Sequence, residues 1–578
     1  MTTDPTASPP PDPDFDPSEV MASQAPALQL LLAMGWQYLS PAKARQLRGP
    51  RLLNVVLDDM LRDALKRINR IHTTTGEHLF SEENLSTAIQ RLKSVPYSGL
   101  LRTNEAVYDL LTLGTTLEQT IDGDSRGRSL RFIDWQHPLD NTFHVTPEFV
   151  VQRSRSQNTI RCDLVLFVNG IPLAVIECKA PNVGVGQAVA QLVGYQGESQ
   201  APHLFVMAQV LLAVNGHSAR VGTVGSPAKF WSTWREDGDD TPIAAMLAQP
   251  LPREVQADLF ELVQRLSGAR ALPGVAEDAA PYLVARSVAE QDRTVAAVLA
   301  PQRLLALVFH YTVFDGGVRK VARYQQVRAI DRIMERINHW ETTPADAQRR
   351  TGGVVWHTQG SGKSLTMVML ARRLALLPGL VNPRIVLVTD RDDLDKQIEG
   401  TFKTCGLQPK RAGSARELLA LVQSPKAQII TTLIQKFDRV GTLAKSFAVD
   451  SHDVFVLVDE GHRTNFGSLA AKMRLLMPNA CYIGFTGTPV TRRERNTLNR
   501  FGGLIDSYTM DEAVRDGAVV KLLYESRMVD VMQNQEAIDK WFERQTAGLN
   551  DAQKADLKRK YAREQMIQQA NPTLYMLA

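Results

Sequence analysis

Apolar residues in the first part of the chain recur at both helical and strand spacings. One helix is predicted at 27–34, and apolar positions three and four residues apart predict an amphipathic helix from about Arg51 to Ile71. Short apolar runs predict strands at 143–146, 163–168, 171–179, 204–207 and 209–214, with a helix from Gly186 to about Tyr195. This pattern predicts a mixed sheet flanked by helices.

Strands and helices alternate regularly in the second part of the chain. The predicted strands lie at 353–356, 384–388, 428–431, 454–458 and 482–485. Such alternation is typical of a parallel α/β sheet covered by helices. The Ala- and Leu-rich stretch 246–318, which prolines interrupt, is interpreted as a helical connector between the two parts.

Length and composition indicate a protein of several folded domains. The 578 residues are enough for roughly three or four domains. The predicted division is a disordered tail at 1–20, a first α/β domain at 21–245, the connector at 246–318, a parallel α/β domain at 319–505, and the start of an incomplete further domain at 506–578.

Charge and cysteine content narrow the choice of compartment and partners. The net charge is only +4, so any affinity for nucleic acid must come from local grooves. The four cysteines are scattered without metal-ligand spacing, which is typical of a reducing cytosol. No apolar stretch is long enough to span a bilayer, and we therefore predict a cytoplasmic protein without a membrane partner.

The stretch WHTQGSGKS at 356–364 has the composition of a phosphate-binding loop between a strand and a helix. Backbone N–H groups of such a loop point at a polyphosphate, the lysine reaches its outer phosphates, and the serine hydroxyl binds Mg²⁺. The first glycine of the usual pattern is replaced by His357, and a plain Gly–Ser turn is the alternative interpretation. The predicted nucleotide-binding residues are Gly360, Ser361, Gly362, Lys363 and Ser364.

Two carboxylates follow an apolar strand about 95 residues further on. Phosphoryl transfer to water requires an acid that holds Mg²⁺ and a second group that positions the attacking water. Asp459 fits the first role and Glu460 the second, and together with Ser364 they predict an ATP- and Mg²⁺-dependent site. The alternative is a strand that ends in an acidic turn.

A second set of charged residues lies on adjacent predicted strands in the first domain. Phosphodiester hydrolysis can use two carboxylates that hold Mg²⁺ and a lysine that orients water or stabilises developing charge. Asp163, Glu177 and Lys179 have this composition, and Glu177 and Lys179 share one strand face. A solvated strand edge is the alternative, because Glu-x-Lys is a common pattern.

The register of the hairpin between these strands decides whether the carboxylates meet. A regular two-residue Asn169-Gly170 loop would pair Asp163 with Ile176 and turn Glu177 to the other face. A three-residue loop, or an equivalent bulge, pairs Asp163 with Glu177. The functional interpretation therefore predicts a bulge.

The motor-like half resembles the first RecA-like domain of a superfamily 2 helicase or translocase. The resemblance rests on Gln326, the Lys363-Ser364 loop, the Asp-Glu-x-His box at 459–462 and Thr-Gly-Thr-Pro at 486–489. It implies that Gln326, or Gln325, contacts adenine, and that His462 and Thr486 couple the nucleotide to DNA. The arginine-bearing helix of a second RecA-like domain is missing after Pro489, so the resemblance implies a truncated chain, or a motor completed elsewhere, with weak ATPase activity of its own.

The first domain resembles nucleases of the PD-(D/E)xK type, with Cys162 in place of the usual proline. Gln191 and Tyr195, one helical turn apart, resemble the additional motif of RecB-type nucleases. A nuclease of this kind followed by this motor resembles the restriction subunit of type I restriction–modification enzymes over roughly residues 25–530. That family implies ATP-driven translocation on double-stranded DNA, cleavage, and methyltransferase and specificity subunits as partners.

Two other functions remain open from the sequence. One is a nuclease–helicase fusion that acts in DNA repair or in another phage-defence system, which a neighbouring methyltransferase gene would argue against. The other is a DNA-binding scaffold whose nuclease site is inactive, which Mg²⁺-dependent nicking would exclude.

Overall fold

The computed structural model describes residues 17–236, 238–267, 286–342, 348–437, 449–459, 466–487, 501–520 and 535–561. Within these ranges, no helix is both long and apolar enough to cross a lipid bilayer. Residues 1–520 form one compact unit and residues 521–578 another.

The first domain contains a six-stranded mixed sheet whose spatial order follows the chain. Its strands are β1 (Gln37–Tyr38), β2 (Phe143–Gln152), β3 (Thr159–Val168), β4 (Ile171–Cys178), β5 (Val210–Val214) and β6 (Ala219–Gly222). β2, β3 and β4 are antiparallel neighbours, whereas β4 and β5 are parallel. A parallel pair needs a crossover, and the helix Val185–Tyr195 supplies it.

Helices and a few small elements surround this sheet. The helices are Pro17–Glu19, the π-helical turn Val20–Gln24, Ala25–Ala33, Pro41–Leu47, Asp58–Ile68, Glu82–Lys93, Leu100–Leu113, Pro202–Phe205 and Thr241–Leu247, with 3-10 turns at Pro138–Asp140 and Ala228–Phe230. Two-stranded hairpins are formed by Ile71–Thr73 with Gly76–His78 and by Thr115–Ile121 with Asp124–Leu130. The observed elements thus agree with the predicted mixed sheet flanked by helices.

The hairpin between β3 and β4 has a two-residue loop and a bulge. Asn169 and Gly170 both have positive φ angles, 52° and 79°, as a tight hairpin turn requires. Leu166 lies opposite Ala174 but Phe167 lies opposite Pro172, so the chain carries one extra residue, Leu173. The predicted bulge is confirmed.

The connector is partly helical and ends in a hairpin. Its helices are Arg253–Ser267, Glu290–Leu299 and Pro301–Phe309. The antiparallel strands Thr312–Asp315 and Val318–Val321 follow, so a hairpin lies across the predicted boundary at 318/319.

A seven-stranded parallel sheet forms the core of the second part. Its strands are β7 (Gly353–His357), β8 (Arg384–Thr389), β9 (Lys410–Arg411), β10 (Gln428–Leu433), β11 (Val454–Asp459), β12 (Cys481–Thr486) and β13 (Leu504–Tyr508), in the spatial order β9-β10-β8-β11-β12-β7-β13. The accompanying helices are Tyr324–Arg336, Lys363–Ala375, Asp392–Thr404, Ala415–Gln423, Phe466–Leu476 and Met510–Arg515, and Trp340–Thr342 pairs with Gln348–Arg350. The predicted parallel α/β sheet is confirmed.

Three predictions of local structure are wrong. Residues 204–207 do not form a strand, because Pro202 begins a short helix, Pro202–Phe205, and the next strand starts at Val210. The predicted disordered tail 1–20 includes residues 17–20, which are helical, while residues 1–16 lie outside the described part of the chain. The boundary at 505/506 falls inside β13, which pairs with β7 in the first parallel sheet.

The described part of the second unit contains the helices Gln535–Gln545 and Asp551–Tyr561. Most of the predicted incomplete domain at 506–578 beyond residue 520 is outside the described residues.

Candidate functional site

The bulge at Leu173 brings the three predicted nuclease residues to one place. Continuing the register from Leu164 and Ile176 sets Asp163 opposite Glu177. The Asp163 carboxylate accepts a hydrogen bond of 2.6 Å from the backbone N–H of Cys178, and Lys179 Nζ lies 3.2 Å from Glu177 Oε1. The carboxylates and the lysine therefore form one buried cluster at the ends of β3 and β4.

The two carboxylates of this cluster are only partly compensated by the positive charges around them. Burial, followed by the proximity of Asp163, raises the pKa of Glu177 well above its ordinary value, and burial also raises the pKa of Asp163. Among the described residues, no donor lies within hydrogen-bonding distance of the buried Glu177 Oε2. Carboxylate oxygens are the ligands that Mg²⁺ prefers, so Asp163 and Glu177 fit a divalent cation.

Lys179 is a cation in this environment. Burial alone would lower its pKa, but Glu177, Asp163 and Glu19 outweigh that effect and raise the pKa to about 12. A protonated ammonium group can stabilise developing negative charge, whereas it cannot accept a proton from water. A protonated ammonium group is compatible with both roles considered for this lysine, because it can also orient water by donating a hydrogen bond.

Glu19 is a fourth charged residue of the cluster, and the sequence interpretation missed it. Its carboxylate lies 3.5 Å from Lys179 Nζ. Burial and the Asp163 charge raise the pKa of Glu19 to about 7. Glu19 lies in a Pro- and Asp-rich stretch without periodicity, and therefore no sequence signal indicated that it reaches the sheet.

Neighbouring polar residues fix the edge of this cluster. Glu148, opposite Asp163, has a positive φ of 54°, and its Oε1 accepts a hydrogen bond of 3.0 Å from Gln24 Nε2. Its other oxygen pairs with Arg161 Nε at 2.8 Å. A left-handed glutamate is uncommon and marks a place where the surroundings impose the backbone conformation.

Gln191 and Tyr195 face each other one helical turn apart, as predicted. Gln191 Nε2 donates to Tyr195 Oη at 2.5 Å, and Tyr195 Oη donates to the Arg161 carbonyl at 3.3 Å. Burial, followed by the Glu177 charge, raises the pKa of Tyr195, so the phenol stays protonated. The pair attaches the crossover helix to the strand that carries Asp163.

The predicted phosphate loop connects β7 to the helix Lys363–Ala375. Gly360 and Gly362 have φ angles of 84° and 90°, which only glycine adopts readily. His357 is not among the described residues with positive φ, which explains why the usual first glycine is dispensable here. Lys363 Nζ donates to the His357 carbonyl at 3.3 Å, and no partner is found for the buried Ser361 hydroxyl within the described ranges.

Gln326 lies against this loop. Its Nε2 donates to the Gly362 carbonyl at 3.1 Å, and its Oε1 accepts from the Arg323 N–H at 2.9 Å. The neighbouring Gln325 is buried, and its amide has no hydrogen-bond partner among the described residues. Of the two glutamines considered, Gln326 is the one in contact with the loop.

Asp506 joins the loop to β13, which the sequence interpretation did not foresee. The carboxylate lies 2.7 Å from His357 Nε2, 2.9 Å from Arg328 Nε and 2.6 Å from Arg332 Nη1. Burial lowers the pKa of His357, so the neutral imidazole donates its Nε2–H to the carboxylate. The side chain at the substituted glycine position therefore has a structural partner.

The remaining predicted ATP-site residues lie on the same edge of the sheet or outside the described residues. Ser364 is in the first turn of the phosphate-loop helix, and Asp459 and Thr486 end β11 and β12. Carboxyl ends of parallel strands meet at one edge, so these three residues share the edge that carries the loop. Glu460 and His462 lie outside the described residues.

Two family matches cover most of the chain. Residues 16–230 match the family described as type I restriction enzyme R protein N terminus, and residues 325–555 match the family described as SWI2/SNF2 ATPase. Curated relatives are the HindI endonuclease subunit of Haemophilus influenzae, 28% identical over 532 residues, and the MjaIXP endonuclease subunit of Methanocaldococcus jannaschii, 29% identical over 445 residues. Both relatives are named as subunits of type I restriction enzymes.

Both family matches and both relatives support a type I restriction enzyme subunit with a helicase-like motor. The family resemblance inferred from the sequence is thereby confirmed. The alignments cover 86% of this chain and 45% of the HindI subunit, and 75% of this chain and 40% of the MjaIXP subunit. The chain thus spans less than half the length of these relatives.

Among solved structures, the DNA-bound Type ISP restriction-modification enzyme LlaBIII is similar at 14% identity. The match covers 34% of this chain and 16% of that chain, with a TM-score of 0.27. This similarity is too low to support a conclusion about function.

Proposed function

We propose that this chain is the DNA-cleaving and ATP-dependent DNA-translocating subunit of a cytoplasmic type I restriction enzyme. The observation that carries the proposal is the bulged register, which joins Asp163, Glu177 and Lys179 in one buried cluster. A regular hairpin would have turned Glu177 away from Asp163.

In the proposed nuclease reaction, Asp163 and Glu177 would hold Mg²⁺ and Lys179 would stabilise charge on the scissile phosphate. When bound, Mg²⁺ supplies Lewis-acid stabilisation of the phosphoryl group. The Glu19 carboxylate, 3.5 Å from the ammonium group, keeps Lys179 charged and oriented. Gln191 and Tyr195 support the strand of Asp163 through the Arg161 carbonyl.

In the proposed motor, the phosphate loop binds ATP and the sheet edge holds its metal. Lys363 would leave the His357 carbonyl for the outer phosphates. Ser364 and Asp459 would hold Mg²⁺, and Glu460 would position the attacking water. Gln326, in contact with the loop, would bind adenine, while His462 would couple the nucleotide to DNA.

The proposal includes partners that recognise the DNA sequence. Methyltransferase and specificity subunits, which the family resemblance implies, would direct the chain to unmethylated double-stranded DNA.

The experiment that tests this proposal is cleavage of long unmethylated DNA by the full-length subunit assembled with its partners. Cleavage should require both ATP and Mg²⁺. Asp163→Ala should abolish cleavage and leave ATP hydrolysis intact, whereas Lys363→Ala should abolish both activities. Glu83→Ala, which removes an exposed carboxylate of the same domain, is the control and should keep both.

Two outcomes would contradict the proposal in different ways. A complex that binds DNA and hydrolyses ATP but never cuts would favour an inactive nuclease site on a DNA-binding scaffold. Parallel loss of both activities in Asp163→Ala would show that the division into two sites is wrong.

A further inference from the structure

Gln291 uses its whole side-chain amide to hold the segment that carries Glu19. The residue is fully buried in the connector helix Glu290–Leu299. Its Nε2 donates to the Ser23 carbonyl at 2.8 Å, and its Oε1 accepts from Ser23 Oγ at 3.2 Å and from the Gly216 N–H at 2.5 Å. These contacts join residues that are far apart in the sequence.

Ser23 lies one helical turn after Glu19, inside the π-helical turn Val20–Gln24. Such turns are rare and occur often at functional sites. The next residue, Gln24, donates to Glu148 Oε1 and, at 2.8 Å, to the Asp163 carbonyl. The segment is therefore fixed to the nuclease sheet at Gln24 and to the connector at Ser23.

Gly216, the third group that Gln291 contacts, is in the turn between β5 and β6. Its φ is 85°, and a side chain there would approach the Ala22 carbonyl within 2.8 Å. β5 pairs with β4 beside Glu177, and the Lys179 N–H donates to the Val214 carbonyl at 2.9 Å. Gln291 thus sits at the point where the Glu19 segment, the strand next to the carboxylates and the connector meet.

The connector also contacts the motor domain. Arg303, in the connector helix Pro301–Phe309, pairs with Asp331 at 2.8 Å, and Asp331 pairs with Arg373 at 2.5 Å. Arg373 belongs to the helix that begins at the phosphate loop. A continuous set of contacts therefore runs from that helix to the connector.

We infer that Gln291 is a positioning residue for the nuclease centre: through Ser23, it sets the distance between the Glu19 carboxylate and Lys179. The inference rests on the proposed nuclease function and extends it to the connector, through which a displacement in the motor reaches Glu19. Without the amide, the Ser23 carbonyl, the Ser23 hydroxyl and the Gly216 N–H lose a buried partner. Unpaired buried polar groups are unfavourable, so the segment shifts, whereas Asp163 and Glu177 stay in the sheet.

The test uses Gln291→Leu in the full-length subunit assembled with its partner subunits. Without Glu19 beside it, the Lys179 ammonium group pairs more fully with Glu177 and competes there with the cation. The Mg²⁺ concentration that gives half-maximal cleavage should therefore rise about 10-fold, the low end of the range for residues that act on metal ligands. Mn²⁺ alone, titrated into the protein in a calorimeter without DNA or ATP, should bind more weakly by a similar factor. ATP hydrolysis should keep its wild-type rate, because the hydrogen-bond partners of Gln291 among the described residues are Ser23, Gly216 and His217, all in the first domain.

Gln29→Leu is the matched control. Gln29 is buried in the same N-terminal region, in the helix Ala25–Ala33, and donates to the Leu247 and Gln249 carbonyls at 2.8 and 2.5 Å. This variant should lose comparable thermal stability and keep the wild-type Mg²⁺ requirement. Asp163→Ala identifies the calorimetric signal that comes from the nuclease centre.

Three results separate the hypotheses. Equal Mg²⁺ requirements and Mn²⁺ affinities in Gln291→Leu, Gln29→Leu and wild type would overturn the positioning role while leaving the proposed nuclease intact. A wild-type complex that never cleaves would contradict the proposed function itself. If Gln291→Leu fails to fold, Ser23→Ala, which removes only the hydroxyl contact, should still raise the Mg²⁺ requirement to a smaller extent, and an unchanged requirement would overturn the inference.

Discussion

Replacing Asp506 with alanine removes the carboxylate on which three basic groups converge. Asp506 is fully buried, and two of its partners are also shielded: the side chains of His357 and Arg328 are 1% and 14% exposed. Arg332 is 51% exposed, so its ion pair contributes little. The energetic cost therefore comes mainly from Arg328 and His357.

The magnitude follows from these contacts. Removing one partner of a buried ion pair costs about 3–5 kcal/mol, because an uncompensated charge stays buried. Arg328 keeps its 2.7 Å hydrogen bond to the Ser507 carbonyl, which places the expected loss near the low end, about 3 kcal/mol. At about 2–4 °C per kcal/mol for a domain of this size, the thermal transition of the parallel α/β domain should fall by about 6–12 °C.

The assay is calorimetric unfolding of wild type, Asp506→Ala and the control Asp393→Ala. Asp393 is an exposed acid in the same domain, and its replacement should change stability by less than about 0.5 kcal/mol. A cycle with His357→Ala should give a coupling of about 1 kcal/mol or more, because the two side chains share a buried hydrogen bond. If Asp506→Ala unfolds at the same temperature as Asp393→Ala, the cluster does not hold the loop. The same conclusion follows if the losses of unfolding free energy in Asp506→Ala and His357→Ala are simply additive in the double variant.

Three further predictions concern other parts of the chain. Gly362→Ala should lower the rate of ATP hydrolysis at least about 10-fold, because Gly362 has a φ of 90° and the new Cβ would lie 2.6 Å from Gln326 Nε2. Steady-state ATPase kinetics of the assembled enzyme measure this rate. In metal-free protein, the pKa of Glu19 is raised from 4.5 to about 7, so the folded wild-type protein loses stability as the pH rises from 4.5 to 7. Glu19→Gln should therefore become more stable than wild type over this pH range and should keep that advantage above pH 7. Thermal unfolding at several pH values measures the difference. Arg319→Ala should destabilise the protein by about 3 kcal/mol in the same melts, because it empties a buried site in which the guanidinium binds Asn104 and stacks on Tyr108.

The register of the nuclease hairpin shows what the sequence can and cannot determine. Asn169-Gly170 locates the turn unambiguously, because both residues tolerate positive φ. The bulge at Leu173 has no signature of its own in the sequence. The bulge was predicted only because two carboxylates can hold one metal ion when both lie on the same face of the sheet. A functional hypothesis therefore selected the register.

The features that the sequence did not predict correctly depend mainly on contacts with residues that are distant in the chain. Glu19 contacts a lysine 160 positions away, and nothing in its own neighbourhood marks that contact. β13 was not recognised as a strand because Asp506 interrupts its apolar run, and that carboxylate becomes acceptable only when His357 and Arg328 surround it. Residues 204–207 are apolar enough for a strand, yet Pro202 favours the first turn of a helix.

The junction between the two sheets bears on how the motor can act on the nuclease. Arg319, 1% exposed, donates to Thr223 at 2.8 Å and to Asn104 at 3.0 Å, and burial lowers its pKa to about 10. Arg372 of the phosphate-loop helix reaches across to Tyr108 in the same region. Burial of a cation among neutral acceptors and rings is unfavourable by itself, because water would solvate the guanidinium group better. Opening of this interface would relieve that cost, so Arg319 does not oppose hinge motion between the two domains. A signal from the motor can therefore travel by such a motion as well as by small shifts within packed elements, such as the connector that holds the Glu19 segment at Gln291.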